Sequence, residues 1–449
     1  MTLYAKLQDV MRNVFMEPTL EIGPETTALD VPGWDSLSHT LLILEMEAAF
    51  GVHIDPDKVA LCNNIGELVE YIESLKVPSV DDLTRHVMVD SGGRQYQVDL
   101  LQSVRFNTLI VEITSRCNLR CIFCPKAIKD NEKVPGRDVD MDEATLASTL
   151  RFARQASPAI ASLVGVGETT FRDDWKEVCQ HFFNLGMACI INSNFGRLYS
   201  EADLDALLKF ANITISIESA DIELQKKLRK AVDLKVILTN IIALRSRARL
   251  KGVRLPRLTV NCTVSDRNVM GVKELAAFCA ELGINQLNLS SLYEIDELKD
   301  SQMRSIEHLE PAERGEARKV LEGTQQVLKG SSTQLCVQPR LLQLYNGASE
   351  EGPRDGLTRV CMQPWTAYTV GADGQVFPCC VTAESFAKID EPMDALLNGK
   401  AIRRLRAQLL DGDLPTMCQA CSNAPLGSKD DLARTVVAEA LNSGKLMPA

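Results

Sequence analysis

The sequence is poor in the features that mark membrane-spanning, secreted and nucleic-acid-binding chains. No run approaches the roughly 18 apolar residues of a membrane span. Met1 to Val10 lacks a basic stretch followed by an apolar core, so no secretory signal is expected and the chain reads as cytoplasmic, without membrane contact. Positive charge is in deficit. Lys and Arg number 49 against 60 Asp and Glu, a net charge of −11, and this argues against the basic footprint that nucleic-acid binding requires. Histidine is scarce at 5 residues, His39 and His53 read as surface or structural, and no side chain stands out as a general base.

What is present is an ordinary apolar fraction of 45% and 14 cysteines in 449 residues. The length suggests roughly two to three domains. Tight cysteine clusters in a long chain without a signal favour metal over disulfides. The acidity is uneven: residues 1–77 hold 13 acids and 4 bases, a balance of −9, which leaves −2 for the other 372. The N-terminal part therefore reads as a separate acidic module.

The central stretch is Cys117-Asn118-Leu119-Arg120-Cys121-Ile122-Phe123-Cys124. It follows Asn107–Thr114, a β-rich run that reads as a strand. Three cysteines this close can wrap one corner of an iron–sulfur cube. Most such clusters take four thiolates, so one iron is left open for a small molecule. Zinc, and a plain set of buried thiols, are the alternatives. The spacing, with Phe123 before the last Cys, resembles the radical S-adenosylmethionine (radical SAM) enzymes. That resemblance implies a 4Fe-4S cluster on Cys117, Cys121 and Cys124. It implies SAM on the open iron, cleaved reductively to a 5′-deoxyadenosyl radical that takes a hydrogen atom from an unactivated carbon.

Residues 107–300 alternate strand-like and helical runs. Strands are expected near Leu109–Thr114, Ala159–Gly165, Ala188–Asn192, Asn212–Ile217, Leu258–Val264 and Gln286–Ser290. Such alternation implies a parallel α/β sheet with chemistry at the C-terminal strand ends. Six strands match the partial (β/α)6 TIM barrel of the radical SAM family. Gly165-Val166-Gly167-Glu168 resembles the motif that binds the SAM amino group, with Thr169 where Pro is common; a Gly-rich turn with a solvated Glu is the plainer alternative. Ser193 and Asn194, then Ser216 and Glu218, end the next two strands, and their family counterparts lie near the ribose. Arg229 fits the arginine that meets the SAM carboxylate. It also reads as part of a surface basic cluster with Lys226, Lys227 and Lys230, a landing site for an acidic partner. Asn268 and Asn288 are weaker candidates.

Residues 301–345 are polar and helical without a motif. Cys361 then precedes a strand-like Ala367–Val370, a turn signal at Gly371–Gly374, and Gln375–Pro378 leading to Cys379 and Cys380. A helix and Cys418-Gln419-Ala420-Cys421 follow. A hairpin would bring Cys361 and Cys379 together, with Cys418 and Cys421 closing a four-thiolate site for zinc or iron–sulfur. The arrangement resembles the Twitch form of the SPASM extension, a β-hairpin plus helix domain over residues 301–449. It implies one auxiliary 4Fe-4S cluster on Cys361, Cys379, Cys418 and Cys421, which in that family exchanges an electron with substrate. Cys380 replaces Cys379 or faces substrate.

In residues 1–77, Trp34-Asp35-Ser36-Leu37 opens an amphipathic helix with Leu37, Leu41, Leu44 and Ala48 on one face, Asp35 as N-cap and Gly51 as stop. Further helices at Tyr4–Val14 and Ile65–Ser74 make an all-α bundle. The run from Gly33 to Val52 resembles the acyl and peptidyl carrier proteins. It implies 4′-phosphopantetheine on Ser36 and a docking helix bearing Glu45 and Glu47. Residues 78–106 read as a linker, with Pro78–Ser91 as a flexible tether of roughly 20 Å.

The function expected is radical oxidation of an acyl or aminoacyl group on the chain's own carrier arm, in natural-product biosynthesis. The alternatives are a free small molecule or peptide as substrate with the carrier serving delivery, and a non-catalytic iron–sulfur scaffold. The expected partners are a phosphopantetheinyl transferase, a loading enzyme and a low-potential donor such as flavodoxin or ferredoxin.

Overall fold

The computed structural model describes residues 3–34, 36–50, 54, 56–59, 62–75, 85–91, 94–124, 126, 138–230, 232–292, 303–345, 357–380, 382, 384–419, 421, 423–444 and 447–448. Two compact units are present, Met1–Leu83 and Thr84–Ala449.

The first unit is helical, with helices Leu3–Phe15, Ser36–Phe50, Pro56–Val59 and Ile65–Leu75. Leu7, Met11, Leu42, Met46, Ile65 and Ile72 fill its core. The buried stripe of Ser36–Phe50 differs from the expected one. Leu41 is 45% exposed, whereas Leu42, Ile43 and Met46 are buried. The run Leu41-Leu42-Ile43-Leu44 offers two adjoining stripes to a 3.6-residue period, and packing against Leu3–Phe15 selects the second. The side chains of Leu37, Leu44 and Ala48, and the expected cap Asp35 and stop Gly51, lie outside the described residues.

In the second unit, strands are numbered along the chain. The first two, β1 (His86–Ser91) and β2 (Arg94–Asp99), pair as a hairpin, and β15 (Met447–Pro448) adds to β2. The expected flexible tether therefore gives way to strand from His86 onward, because the alternation of Val87 and Val89 with exposed neighbours suits a half-buried strand. Residues 78–84 of that tether lie outside the described residues.

The main sheet holds β3 (Thr108–Val111), β4 (Ile160–Leu163), β5 (Ala188–Ser193), β6 (Asn212–Ser216), β7 (Arg257–Val264), β8 (Gln286–Ser291) and β9 (Gln334–Val337). It is completed by β11 (Ala367–Val370), β12 (Gln375–Phe377) and β13 (Ala387–Lys388), in the order β13-β12-β11-β3-β4-β5-β6-β7-β8-β9. The six expected strands are β3 to β8, each parallel to the next. Two additions were not anticipated. β9 lies parallel to β8, and β11 lies parallel to β3. The sheet thus crosses the expected boundary at residue 300, and β3 runs between β4 and β11.

Side chains alternate across the sheet. Leu258, Val260, Cys262, Val264, Leu287 and Leu289 are buried on one face, under Ile237, Ile241 and Leu244 of helix Leu234–Lys251 and Leu275 and Cys279 of helix Val272–Glu281. Asn261, Thr263, Asn288 and Ser290 line the other face and are half-buried. Asp233 caps the first of these helices, and Gly252, at φ +63, ends it in the left-handed conformation.

Near the C-terminus β10 (Leu357–Arg359) pairs antiparallel with β14 (Leu426–Ser428). Arg406, fully buried, donates to the carbonyls of Leu101, Pro364 and Leu397 and to the Tyr368 hydroxyl. Burial pushes its guanidinium down to about 10. Those bonds pin the segment after β2 to helices Gln363–Thr366 and Lys400–Asp411.

Candidate functional site

Because β11, β3 and β4 run in one direction, the loops leaving their C-terminal ends lie side by side. The loop after β3 carries the three cysteines. Arg116 pairs with Asp140 at 2.8 Å, and Thr114 Oγ1 donates to the same carboxylate at 2.6 Å, which fixes the loop's entry. Within the loop Leu119 N donates to Cys117 Sγ (3.4 Å) and Cys124 N to the Cys121 carbonyl (3.0 Å). Ile122 N reaches the Leu228 carbonyl, tying the loop to helix Ile222–Leu228. Burial pushes the Cys117 and Cys121 thiols up to about 11, and Cys124 also up. Without a metal these thiols stay protonated at neutral pH, and ligation must displace their protons.

The loop after β4 packs directly on the cysteine loop. A Cβ on Gly167 would meet the Thr114 carbonyl oxygen, stand 2.6 Å from the Arg116 carbonyl oxygen and 2.7 Å from Ser115 C. Only glycine lets the two backbones approach this closely. Glu168 N donates to the Arg116 carbonyl at 2.8 Å. The Glu168 carboxylate is buried, not solvated. Its Oε1 accepts from Thr170 N (3.3 Å), Thr170 Oγ1 (2.7 Å) and Ser193 Oγ (2.8 Å), and its Oε2 from Asn194 N (2.7 Å). A carboxylate has about four acceptor positions, two on each oxygen. Oε2 therefore keeps capacity for a further donor, such as an ammonium. Asn194 Nδ2 donates to Asn118 Oδ1 at 2.9 Å, closing a bridge from the end of β5 back to the cysteine loop. Tyr199 meets Ser193 and Thr170 behind Glu168. Asn118, Thr170 and Tyr199 were not singled out from the sequence, since only the fold brings them to this carboxylate.

Ser216 ends β6 in register with Asn261, which in turn is in register with Asn288. Arg229 is not on the surface. Its side chain is 11% exposed and that of Glu218 0%, with Arg229 Nη2 2.5 Å from Glu218 Oε1. Arg229 Nη1 stands 3.8 Å from Cys121 Sγ, and the guanidinium lies 5.4 Å from the Phe123 ring centre. Glu218 Oε2 accepts from Thr263 N at 2.6 Å. The expected basic patch thus loses Arg229, while Lys226, Lys227 and Lys230 remain exposed. Asn268 is a structural bracket, donating to the carbonyls of Glu218 and Thr263.

Cys361, Cys379, Cys380, Cys418 and Cys421 line one cavity of about 90 Å³. The β11–β12 hairpin delivers Cys379. The unforeseen β10–β14 pairing delivers Cys361, Cys418 and Cys421, because Cys361 follows β10 and the other two precede β14. Arg359 donates to the carbonyls of Cys418 (3.0 Å), Gln419 (2.6 Å) and Ala424 (3.0 Å) and holds the Cys418–Cys421 segment in place. Burial pushes Cys361 up to about 12 and Cys418 up to about 11. All 14 cysteines are unbridged. The donor sets are soft thiols, which suit iron–sulfur or zinc and not hard cations. Among the described residues no group of three or more His, Cys, Asp or Glu side chains converges on a single ion.

In the carrier module Ser36 opens helix Ser36–Phe50, and its side chain lies outside the described residues. Glu45 is exposed. Glu47 is half-buried and accepts from Ile54 N at 2.7 Å, so its carboxylate braces the following loop. His39 accepts from Trp34 Nε1 at 3.3 Å, a structural role. Among the described residues no helix is long and apolar enough to cross a membrane.

Three family signatures match the chain: the radical SAM superfamily over residues 111–254, the SPASM iron–sulfur cluster-binding domain over 361–422, and the phosphopantetheine attachment site over 5–72. A "Tungsten-containing aldehyde ferredoxin oxidoreductase cofactor-modifying protein" of Pyrococcus furiosus is 26% identical over 191 residues, 41% of this chain and 51% of its own. The chain thus spans about half the length of that relative. An acyl carrier protein of Helicobacter pylori is 31% identical over 77 residues, 17% of this chain and 99% of its own. Among solved structures, Streptococcus suis SuiB bound to S-adenosylmethionine superposes with a TM-score of 0.54 at 14% identity, covering 86% of this chain and 83% of that one, a likeness of fold. The chain carries a radical SAM domain followed by a SPASM-type iron–sulfur domain, and its N-terminal module belongs to the acyl carrier proteins.

Proposed function

We propose that the chain is a radical SAM oxidoreductase that oxidises an acyl or aminoacyl group carried as a thioester on the phosphopantetheine arm of Ser36. The observation that carries this reading is the union of the cysteine loop with the Glu168 loop through Gly167, the Glu168–Arg116 bond and the Asn118–Asn194 bridge. In this reading Cys117, Cys121 and Cys124 hold a 4Fe-4S cluster with one open iron. When bound, that cluster would supply the electron for reductive cleavage of SAM. Glu168 Oε2 accepts from the SAM ammonium. Thr170 and Ser193 keep the carboxylate from turning away, and Asn194 with Ser216 borders the ribose. Arg229 stands beside Cys121 with its charge balanced by Glu218, so it acts on the cluster's surroundings more directly than on a SAM carboxylate.

Cys361, Cys379, Cys418 and Cys421 would hold one auxiliary 4Fe-4S cluster, which would exchange an electron with substrate. The fusion to a carrier module implies an enzyme that loads the arm, a phosphopantetheinyl transferase that installs it and a low-potential electron donor. The test is anaerobic reconstitution of protein co-expressed with a phosphopantetheinyl transferase, followed by reductive incubation with SAM. Release of 5′-deoxyadenosine, together with a mass loss of one hydrogen pair on the loaded arm, supports the reading. No 5′-deoxyadenosine from reduced, iron-replete protein contradicts it. Full turnover of a free small molecule by Ser36→Ala would remove the tethered substrate and keep the radical chemistry.

A further inference from the structure

Glu112 is a buried carboxylate at the seam between the two cysteine-bearing regions, and the sequence gives no hint of it. It follows β3 directly within the apolar run Leu109 to Ile113 and is 7% exposed. Its backbone N–H donates to Val370 O of β11 at 2.9 Å, while Val164 N of the neighbouring loop donates to Val111 O at 3.1 Å. The side chain therefore emerges where the loop after β4 and the turn after β11 leave the sheet together.

The carboxylate reaches both. Oε1 accepts from Val166 N at 2.6 Å and from Gly167 N at 3.4 Å. The backbone N–H of Ala372, in the turn Gly371–Gly374, faces it as well. Room for it comes from Gly165, where a Cβ would stand 2.5 Å from Glu112 Cβ and closer still to Cγ and Oε1. Asp373, the charged neighbour that acts on Glu112 most, has the same sign. The acid is held by backbone N–H groups, and burial, with Asp373 adding to it, pushes it up to about 7. A buried acid at this cost, kept among apolar neighbours, calls for a role that an apolar residue cannot fill.

We propose that Glu112 is a positioning residue that clamps the Gly165–Glu168 loop to the Gly371–Gly374 turn, so that the SAM-side loop and the hairpin leading to Cys379 are set by one carboxylate. Gly167 and Glu168 lie on one arm of this clamp, and β12 with Cys379 on the other. Releasing the clamp frees two segments about 200 residues apart in sequence but adjacent in the sheet. The proposal rests on the cofactor reading only for the role of Glu168; the clamp itself stands on the Val166 and Gly167 bonds to the carboxylate and on the place of Glu112 beside Val370, where the turn begins.

The experiment compares wild type, Glu112→Gln and Glu112→Asp as reconstituted full-length protein. Gln keeps the shape but turns one acceptor into a donor that faces backbone N–H groups. Asp keeps the charge but is a methylene too short to reach both arms. Hydrogen–deuterium exchange is followed in peptides covering 165–168 and 371–374, alongside the KM for SAM in reductive cleavage and the electron paramagnetic resonance spectrum of the auxiliary site. The expected result is loss of protection in both segments, by roughly tenfold or more as for a lost charged hydrogen bond. The KM for SAM rises with a smaller change in kcat, and the auxiliary-site spectrum shifts. Protection lost in 165–168 alone, or in neither segment, overturns the proposal. Should Glu112→Gln fail to fold, Glu112→Asp gives the same two-segment readout. Absence of SAM cleavage in wild type sinks the cofactor reading, while the exchange result still decides the clamp.

Discussion

Replacing Gly167 with alanine tests the join between the two loops at its tightest point. The added Cβ would lie 2.6 Å from the Arg116 carbonyl oxygen, where ordinary contact begins at 3.4 Å. The Thr114 carbonyl oxygen is nearer still, so the backbones must part by about 1 Å, and neither neighbour is a flexible side-chain end. Forcing such a shift in a packed interior costs about 1–3 kcal/mol. It also strains the Glu168 N to Arg116 O bond, 2.8 Å long, worth about 1 kcal/mol more. The variant is expected to be less stable by about 2–4 kcal/mol. The functional effect is larger, because displacement on the order of 1 Å at a reacting site costs about a hundredfold in rate. Urea unfolding of the two proteins gives the first quantity. The rate and SAM dependence of 5′-deoxyadenosine release give the second, with iron content measured to show that the cluster proposed at Cys117, Cys121 and Cys124 is retained. A Gly167→Ala protein with wild-type unfolding midpoint and wild-type KM for SAM would refute the reasoning.

Further outcomes follow from buried charges and from the carrier. Glu112 has a folded pKa of about 7 against an ordinary 4.5, so the folded chain keeps a proton that the unfolded chain releases between those pH values. Stability from this group is therefore full below pH 4.5 and is lost as pH rises to 7, by about 3 kcal/mol, a slope that Glu112→Gln removes in urea titrations across that range. Arg229→Met leaves the Glu218 carboxylate buried and unpaired, at a cost of about 3–5 kcal/mol in the same assay, and the double variant with Glu218→Gln is milder. Losing the cation beside Cys121 Sγ also lowers the cluster's reduction potential in a redox titration. Ser36→Ala abolishes the phosphopantetheine mass increment while leaving SAM cleavage by the reconstituted protein intact.

What could be read from the sequence was whatever is local along the chain. The spacing of Cys117, Cys121 and Cys124, the strand–helix alternation of residues 107–291 and the Gly165–Glu168 turn each depend on a few neighbours, and all recur in the fold at the expected places. Features set by distant pairing were not legible. The placement of β11 against β3 joins residues more than 250 positions apart, so neither the sheet's passage across residue 300 nor the clamp at Glu112 left a local trace. Arg229 read both as the arginine that meets the SAM carboxylate and as one member of a basic surface run, and only the position of Glu218 beside it shows that it is drawn inward. β1 escaped notice because it is a short run, His86–Ser91, between a Pro-containing acidic stretch and Gly92-Gly93, and so reads as linker. In the carrier helix, four consecutive apolar residues left the buried stripe undetermined by one position. Cys361, Cys379, Cys418 and Cys421 were readable as a set, but the β10–β14 pairing that assembles them was not, since each strand is three residues long.

The most direct test of the central claim is electron paramagnetic resonance of the anaerobically reconstituted, reduced protein, with iron and sulfide counted and SAM then added. The account predicts about eight irons and as many sulfides per chain. It also predicts a cubane signal that changes on addition of SAM and is lost in Cys121→Ser. Zinc in place of iron at Cys117, Cys121 and Cys124, or an iron signal indifferent to SAM, would contradict it.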